Sequence, residues 1–180
     1  MEYELIRSDR RTLALQMKPD GAVVVRAPRR TAKRTIDRFV AEHWDWVEKQ
    51  RAKQASRPAV EKLTEEELAA LKKRARNVFL ARCASYAPVV GVRYARVSIR
   101  AQHSKWGSCS SKGGLNFNCL LLLAPMAVLD YVVVHELCHL IEMNHSPRFW
   151  AEVERVLPDY AAARKWLKQN GASLMARLPD

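Results

Sequence analysis

No apolar run in this 180-residue chain is long enough to cross a bilayer; the longest, around residues 119–129, is interrupted by Pro125. The first ten residues, MEYELIRSDR, carry acidic side chains and no signal-peptide core, so a cytoplasmic location is expected. None of the four cysteines, Cys83, Cys109, Cys119 and Cys138, stands in a C-x-x-C pair. Without a secretion signal their even number does not argue for disulfides, and a reducing setting follows. The chain has no internal repeat.

What is present is a globular composition, 48% hydrophobic and 28% charged, in a length that suits one domain or a compact domain with an appended lobe. The net charge of +12 is uneven. Residues 1–60 hold 14 Lys/Arg against 8 Asp/Glu, residues 61–115 hold 11 against 4, and residues 116–180 hold 6 against 7. The last third is therefore nearly neutral and the first two-thirds basic. A basic field of this kind attracts nucleic acid or acidic protein surfaces, and it is equally the field of ordinary solvated helix faces.

The most informative stretch is residues 131–150, YVVVHELCHLIEMNHSPRFW. His135 and His139 are four apart, so a helix stacks them on one face and can aim both imidazoles at one metal ion. Glu136 sits roughly 100° round the helix from His135. It stands beside such an ion and not on it, where a general base belongs. Leu129, Val132, Val133, Val134, Leu137, Leu140 and Ile141 make the helix largely apolar. Two histidines and a glutamate in that setting are costly unless paired or metal-bound. His145 follows ten residues after His135 and is favoured as third ligand, because an open three-histidine site suits catalytic zinc. Asn144 is expected to supply a left-handed turn that brings it back. Glu142 is the rival ligand, about 20° from His135 on the helical wheel, or else a partner for an imidazole N–H.

Elsewhere the pattern is mixed. Residues 3–7, 12–18 and 22–27 read as strands of a small antiparallel sheet, with a turn at Lys18-Pro19-Asp20-Gly21. Thr31 is the expected N-cap of a helix to about residue 50, with His43 packed on its apolar face. Residues 51–63 read as a polar linker. Thr64 and Glu67 form a capping box for a helix with Leu68, Leu71, Ala75, Val78 and Phe79 on its buried face, ended by Pro88 and Gly91. Strands at 95–100 and 115–123 are expected to form a hairpin beside the histidine helix, which Pro125 opens. Ser146-Pro147 starts a further helix stopped by Pro158, and a last helix runs from about Asp159 to Asn170-Gly171.

WGSC at 106–109, Asn118, Pro125, DYVVVHELCHL at 130–140, NHSPRFW at 144–150 and PDY at 158–160 together resemble the YgjP-like metallopeptidase family, which is related to the SprT-like and WLM zincins. The resemblance covers nearly the whole chain. Lys105 departs from it, since the family commonly has Arg before WGS, and so does His103. The resemblance implies an α+β fold: a zincin-like core in which a small antiparallel or mixed sheet packs on the H-E-x-x-H helix, at residues 62–180. A β-hairpin and long helix at residues 1–55 would precede it. It implies one Zn²⁺ per chain held by His135, His139 and His145, with Glu136 catalytic.

The expected function is zinc-dependent hydrolysis of peptide bonds, with a protein or peptide as substrate and no membrane partner. A zincin needs a further donor for the developing oxyanion; His103, Tyr160 and Arg148 are the candidates. The strand at 115–121 is expected to offer a free edge to an extended peptide. Two other classes stay open: a nucleic-acid-binding module with an inactive or structural metal site, and a metal-dependent hydrolase of a non-peptide bond.

Overall fold

The computed structural model describes residues 2–18, 21–55 and 60–179. The chain divides into two compact units, residues 1–59 and 60–180.

In the first unit, strands β1 (Glu4–Ser8), β2 (Ala14–Met17) and β3 (Val23–Pro28) form a sheet in the order β1-β3-β2. The sheet is mixed, not antiparallel as expected: β2 pairs antiparallel with β3, but β1 runs parallel to it. The β2–β3 connection is the tight one, with Gly21 at φ +83° and its N–H donating to the Lys18 carbonyl; Pro19 and Asp20 of the expected turn lie outside the described residues. β1 takes the remaining edge of β3, which makes β3 central. That accounts for the buried run Val23, Val24, Val25 and Ala27.

Two helices follow in place of the expected single one. α1 (Lys33–Glu42) packs Ile36 and Val40 on Val25 and Ala27. Its N-cap is Ala32, without a side-chain bond, and not Thr31. His43 closes α1 with an Nδ1–H bond to the Phe39 carbonyl, which would otherwise lack a partner at the helix end. The ring is consequently exposed and not packed in a core. α2 (Trp44–Ala55) runs into the segment read as linker; residues 56–59 lie outside the described residues.

The second unit begins with α3 (Glu65–Val90). Thr64 Oγ1 accepts the Glu67 N–H, and the Glu67 carboxylate accepts the Thr64 N–H, the reciprocal pair that the sequence suggested. Pro88 lies inside the last turn and does not end the helix; Gly91 does, at φ +85°. Strands β4 (Arg96–Arg100), β5 (Gly107–Cys109) and β6 (Gly114–Asn118) form a second sheet in the order β4-β6-β5. The expected hairpin of 95–100 with 115–123 is thus corrected. The intervening chain carries β5, which takes the antiparallel place beside β6, and β4 pairs with β6 in parallel. β6 is central and has no free edge; the edge on this side belongs to β5. Residues 119–123 are a 3-10 turn, because Asn118 Oδ1 accepts the Leu120 N–H and bends the chain out of the strand.

α4 (Met126–Cys138) is the axis of this unit, with Val128, Leu129, Val132, Val133, Val134, Leu137 and Cys138 all buried. A helix apolar all round must be enclosed. It packs against α3, β5, α5 (Pro147–Val156) and α6 (Tyr160–Met175). Ser146 caps α5 by accepting the Phe149 N–H, with Pro147 in the first position. α6 passes through Gly171 and does not stop there. The glycine answers a close approach instead, since a Cβ would lie 3.0 Å from Trp106 Cζ2.

A partly buried polar contact joins α3 and α4. Both Asp130 oxygens accept from the Arg82 guanidinium, Nε at 2.6 Å, and Tyr86 donates its hydroxyl to Oδ2 at 3.2 Å. Removing one partner of such a pair strands the other charge, whereas replacing both with apolar groups is mild. Arg82→Ala is therefore expected to cost about 3 kcal/mol of stability, and Arg82→Met with Asp130→Leu to recover most of it. Urea unfolding of the metal-free protein measures both.

Candidate metal centre

The i, i+4 spacing on α4 brings His135 and His139 together as expected, with His139 as the residue that closes the helix. His139 Nε2 lies 3.2 Å from His135 Nε2, and His145 Nε2 lies 3.0 Å from it. One ring nitrogen from each of the three lies within 4.8 Å of the others. Nitrogens bound at 2.0–2.1 Å to one tetrahedral ion sit about 3.3 Å apart, so the cluster has the dimensions of a shared cation. Its orientation is fixed from behind. His139 Nδ1–H donates to the Glu142 carbonyl at 3.1 Å, which leaves its Nε2 lone pair facing the cluster. Glu142 thus serves through its backbone; its side chain is not part of the histidine group. Asn144 does not supply the expected left-handed turn, as no described residue other than glycine has positive φ.

Phe149 forms the floor, its ring centroid 4.8, 4.5 and 4.9 Å from those of His135, His139 and His145. Burial, followed by the charges of His139, His145 and Arg164, pushes the His135 pKa down to about 3, and burial lowers that of His139. A lowered pKa favours the neutral imidazole, the state that binds a metal. Two buried polar atoms here lack a protein partner, His135 Nδ1 and Glu136 Oε2. A buried carboxylate oxygen without a donor is costly, and this one belongs to the residue next to His135 in the chain.

Glu136 is 5% exposed. Burial pushes its pKa up to about 8, against the opposing charge of Lys105. Gly107 of β5 lies directly against it; a Cβ there would stand 2.5 Å from Glu136 Oε1 and 2.7 Å from Cγ. The loop leading into β5 is held by Asn118, 1% exposed, whose amide donates to the Gln102 and Lys105 carbonyls at 2.7 and 3.0 Å.

Of the candidate oxyanion donors, His103 and Arg148 are exposed and make no hydrogen bond, ion pair or ring contact among the described residues. Tyr160 stacks between Trp150 and Tyr131, at 5.4 and 6.2 Å, and Trp150 and Tyr131 in turn lie 5.9 and 5.8 Å from His135. Sequence reasoning missed Gly107, Arg164 and the role of Phe149. WGSC marked Gly107 without a reason, and nothing local marked Arg164, fourteen residues from its Trp150 partner.

The raised Glu136 pKa gives a stability prediction with a definite sign. Between about pH 4.5 and 8 the native state keeps a proton that the unfolded chain has released, so stability falls as pH rises through that window. The metal-free wild type should lose about 2–4 kcal/mol relative to Glu136→Gln across it. The opposite slope from His135, at lower pH, is common to both proteins and cancels. Thermal or urea unfolding of the two metal-free proteins as a function of pH tests this.

The family model described as YgjP-like, metallopeptidase domain matches residues 11–71 and 61–170. Among curated proteins none matches this chain. The solved structure of the metallopeptidase zymogen of Pyrococcus abyssi abylysin is 24% identical, covering 56% of this chain and 99% of that one, with a TM-score of 0.47. No helix among the described residues is long and apolar enough to cross a membrane. The chain belongs to the YgjP-like metallopeptidase family.

Proposed function

We propose that the protein is a zinc-dependent peptidase in which His135, His139 and His145 hold the ion and Glu136 is the general base. The observation that carries the reading is the pairing of three converging imidazole nitrogens with a buried carboxylate oxygen that has no protein partner. Zinc is the ion that an all-nitrogen set with an open position suits best, and when bound it supplies Lewis acidity and polarises the scissile carbonyl.

The rest of the work falls to the chain's own groups. Glu136 takes a proton from the attacking water and returns it to the departing amine. The carboxylate is packed against Gly107 of β5, which leaves it little freedom to turn. Lys105 favours its ionised form. Phe149 closes the back of the site to water. β5 is an edge strand against Glu136, and its outer edge is where an extended peptide backbone would pair. Tyr160, held in its stack, is the donor best placed among the three candidates to meet the oxyanion.

Glu136→Gln should keep about one zinc per chain and lose peptidase activity by about 10²–10⁴-fold; His135→Ala should lose the metal. Metal analysis with a fluorogenic casein assay reads both, and unchanged metal content in His135→Ala would falsify the assignment. Gly107→Ala should also keep its zinc, because the nearest atoms its methyl would meet are those of Glu136 and not of a histidine. Its added methyl displaces the Glu136 carboxylate, so activity should drop at least about tenfold. Full activity in that variant would show that the contact with β5 does not position the base.

A further inference from the structure

Arg164 and Lys105 stand near the site and, like Arg148, have no acid paired with them among the described residues. Arg164 of α6 lies with its guanidinium carbon 4.4 Å from the Trp150 ring centroid, and that ring is 5.9 Å from His135 and 5.8 Å from His145. Lys105 lies two residues before Gly107, the glycine set against Glu136. Both are exposed, and among the described residues neither forms an ion pair.

A guanidinium beside a cation site repels the cation that the site is built to hold. It would be a poor choice for a residue whose only work was to cover Trp150, since an apolar or neutral side chain would cover the indole without weakening metal binding. The opposition disappears when an anion lies between the two positive centres. The indole face also fixes the guanidinium plane, leaving its N–H edges free to receive a carboxylate in the two-pronged geometry that arginine favours. Substrate would then bind without first ordering a long side chain.

We propose that the cleft selects acidic peptides, with Arg164, seated on Trp150, receiving a substrate carboxylate close to the scissile bond. The proposal rests on the peptidase reading for the bond cleaved, but its recognition step is separate from hydrolysis. The carboxylate belongs either to an Asp or Glu side chain or to a free C-terminus, and the same guanidinium chemistry serves both.

The test uses the zinc-loaded full chain carrying Glu136→Gln, which binds without cleaving, and three fluorescein-labelled peptides of one sequence. One has an internal Glu and an amidated end, one has Gln and an amidated end, and one has Gln and a free C-terminal carboxylate. Anisotropy should show a carboxylate peptide binding at least about tenfold tighter than the neutral one, one good charge-assisted contact. Which of the two charged peptides gains identifies the source. Adding Arg164→Glu should reduce the preference to less than about twofold, with zinc content unchanged, and Arg164→Gln should act in the same direction. Lys73→Glu, a charge change of equal size on the exposed face of α3, should leave the preference intact. Equal binding of all three peptides overturns the proposal, and so does a preference that survives Arg164→Glu or is lost equally in Lys73→Glu. Hydrolysis by the chain with Glu136 intact is read alongside. Its absence with zinc bound counts against the peptidase reading, while the anisotropy result still decides the role of Arg164.

Discussion

Polar groups inside an apolar helix are the constraint on which the second unit depends. α4 must be hydrophobic nearly all round because helices and a sheet enclose it, yet it carries Asp130, His135 and Glu136 and ends on His139. Each must find a partner or leave a cost. Near the start of the helix Asp130 is answered completely, by Arg82 and Tyr86. At its end His139 is answered on one nitrogen by the Glu142 carbonyl. Between them, His135 Nδ1 and Glu136 Oε2 are left without protein partners. The same helix therefore holds a satisfied ion pair and, about one turn on, an unsatisfied cluster. The contrast argues that the second is reserved for something the chain does not itself supply.

Placing the carboxylate is a matter of distance from a neighbouring strand. Gly107 allows β5 to approach α4 until backbone and carboxylate touch. That approach is in turn fixed by Asn118, whose amide holds the Gln102 and Lys105 carbonyls while its backbone N–H bonds the Trp106 carbonyl at 2.8 Å. Trp106 is pressed on the other side by α6 at Gly171. A tryptophan, two glycines and an asparagine thus act together, each setting the position of the next. A buried amide is a good choice for this task, because its donors and acceptor point in fixed directions and all are costly to leave unmade.

What could be read from the sequence was local. The histidine spacing on α4, the capping box at Thr64 and the Ser146-Pro147 helix start are decided within one or two turns, and the structure has all three. The errors arose where a distant contact decides. β1 pairs with β3 and β4 with β6 because a later or intervening strand occupies the alternative edge, which no window of neighbouring residues records. Gly171 reads locally as a helix stop, but its missing side chain is answered by Trp106 across the fold. Pro88 reads locally as a breaker, yet the helix continues through it to Val90 and ends at Gly91.

The approach of His145 shows how local and distant requirements meet. Without a left-handed residue the chain leaves α4 by tightening: the Leu140 and Ile141 N–H groups bond to the carbonyls three residues back, at Leu137 and Cys138, and the Glu142 N–H shares that of Cys138. This turn faces the Glu142 carbonyl back at His139, so the feature that ends the helix also orients a histidine. His145 then stands one residue before Ser146, the cap of α5, and α5 is anchored by fully buried Phe149 beneath all three imidazoles. The third histidine is consequently positioned by the helix that follows it as much as by the one that precedes it. A side chain on α4 itself, such as a histidine one further turn along, could not be adjusted in that way, because the rigid helix would carry it past the site at 1.5 Å per residue. Separating the third donor onto the start of a second helix lets three nitrogens converge while α4 keeps its regular geometry up to His139.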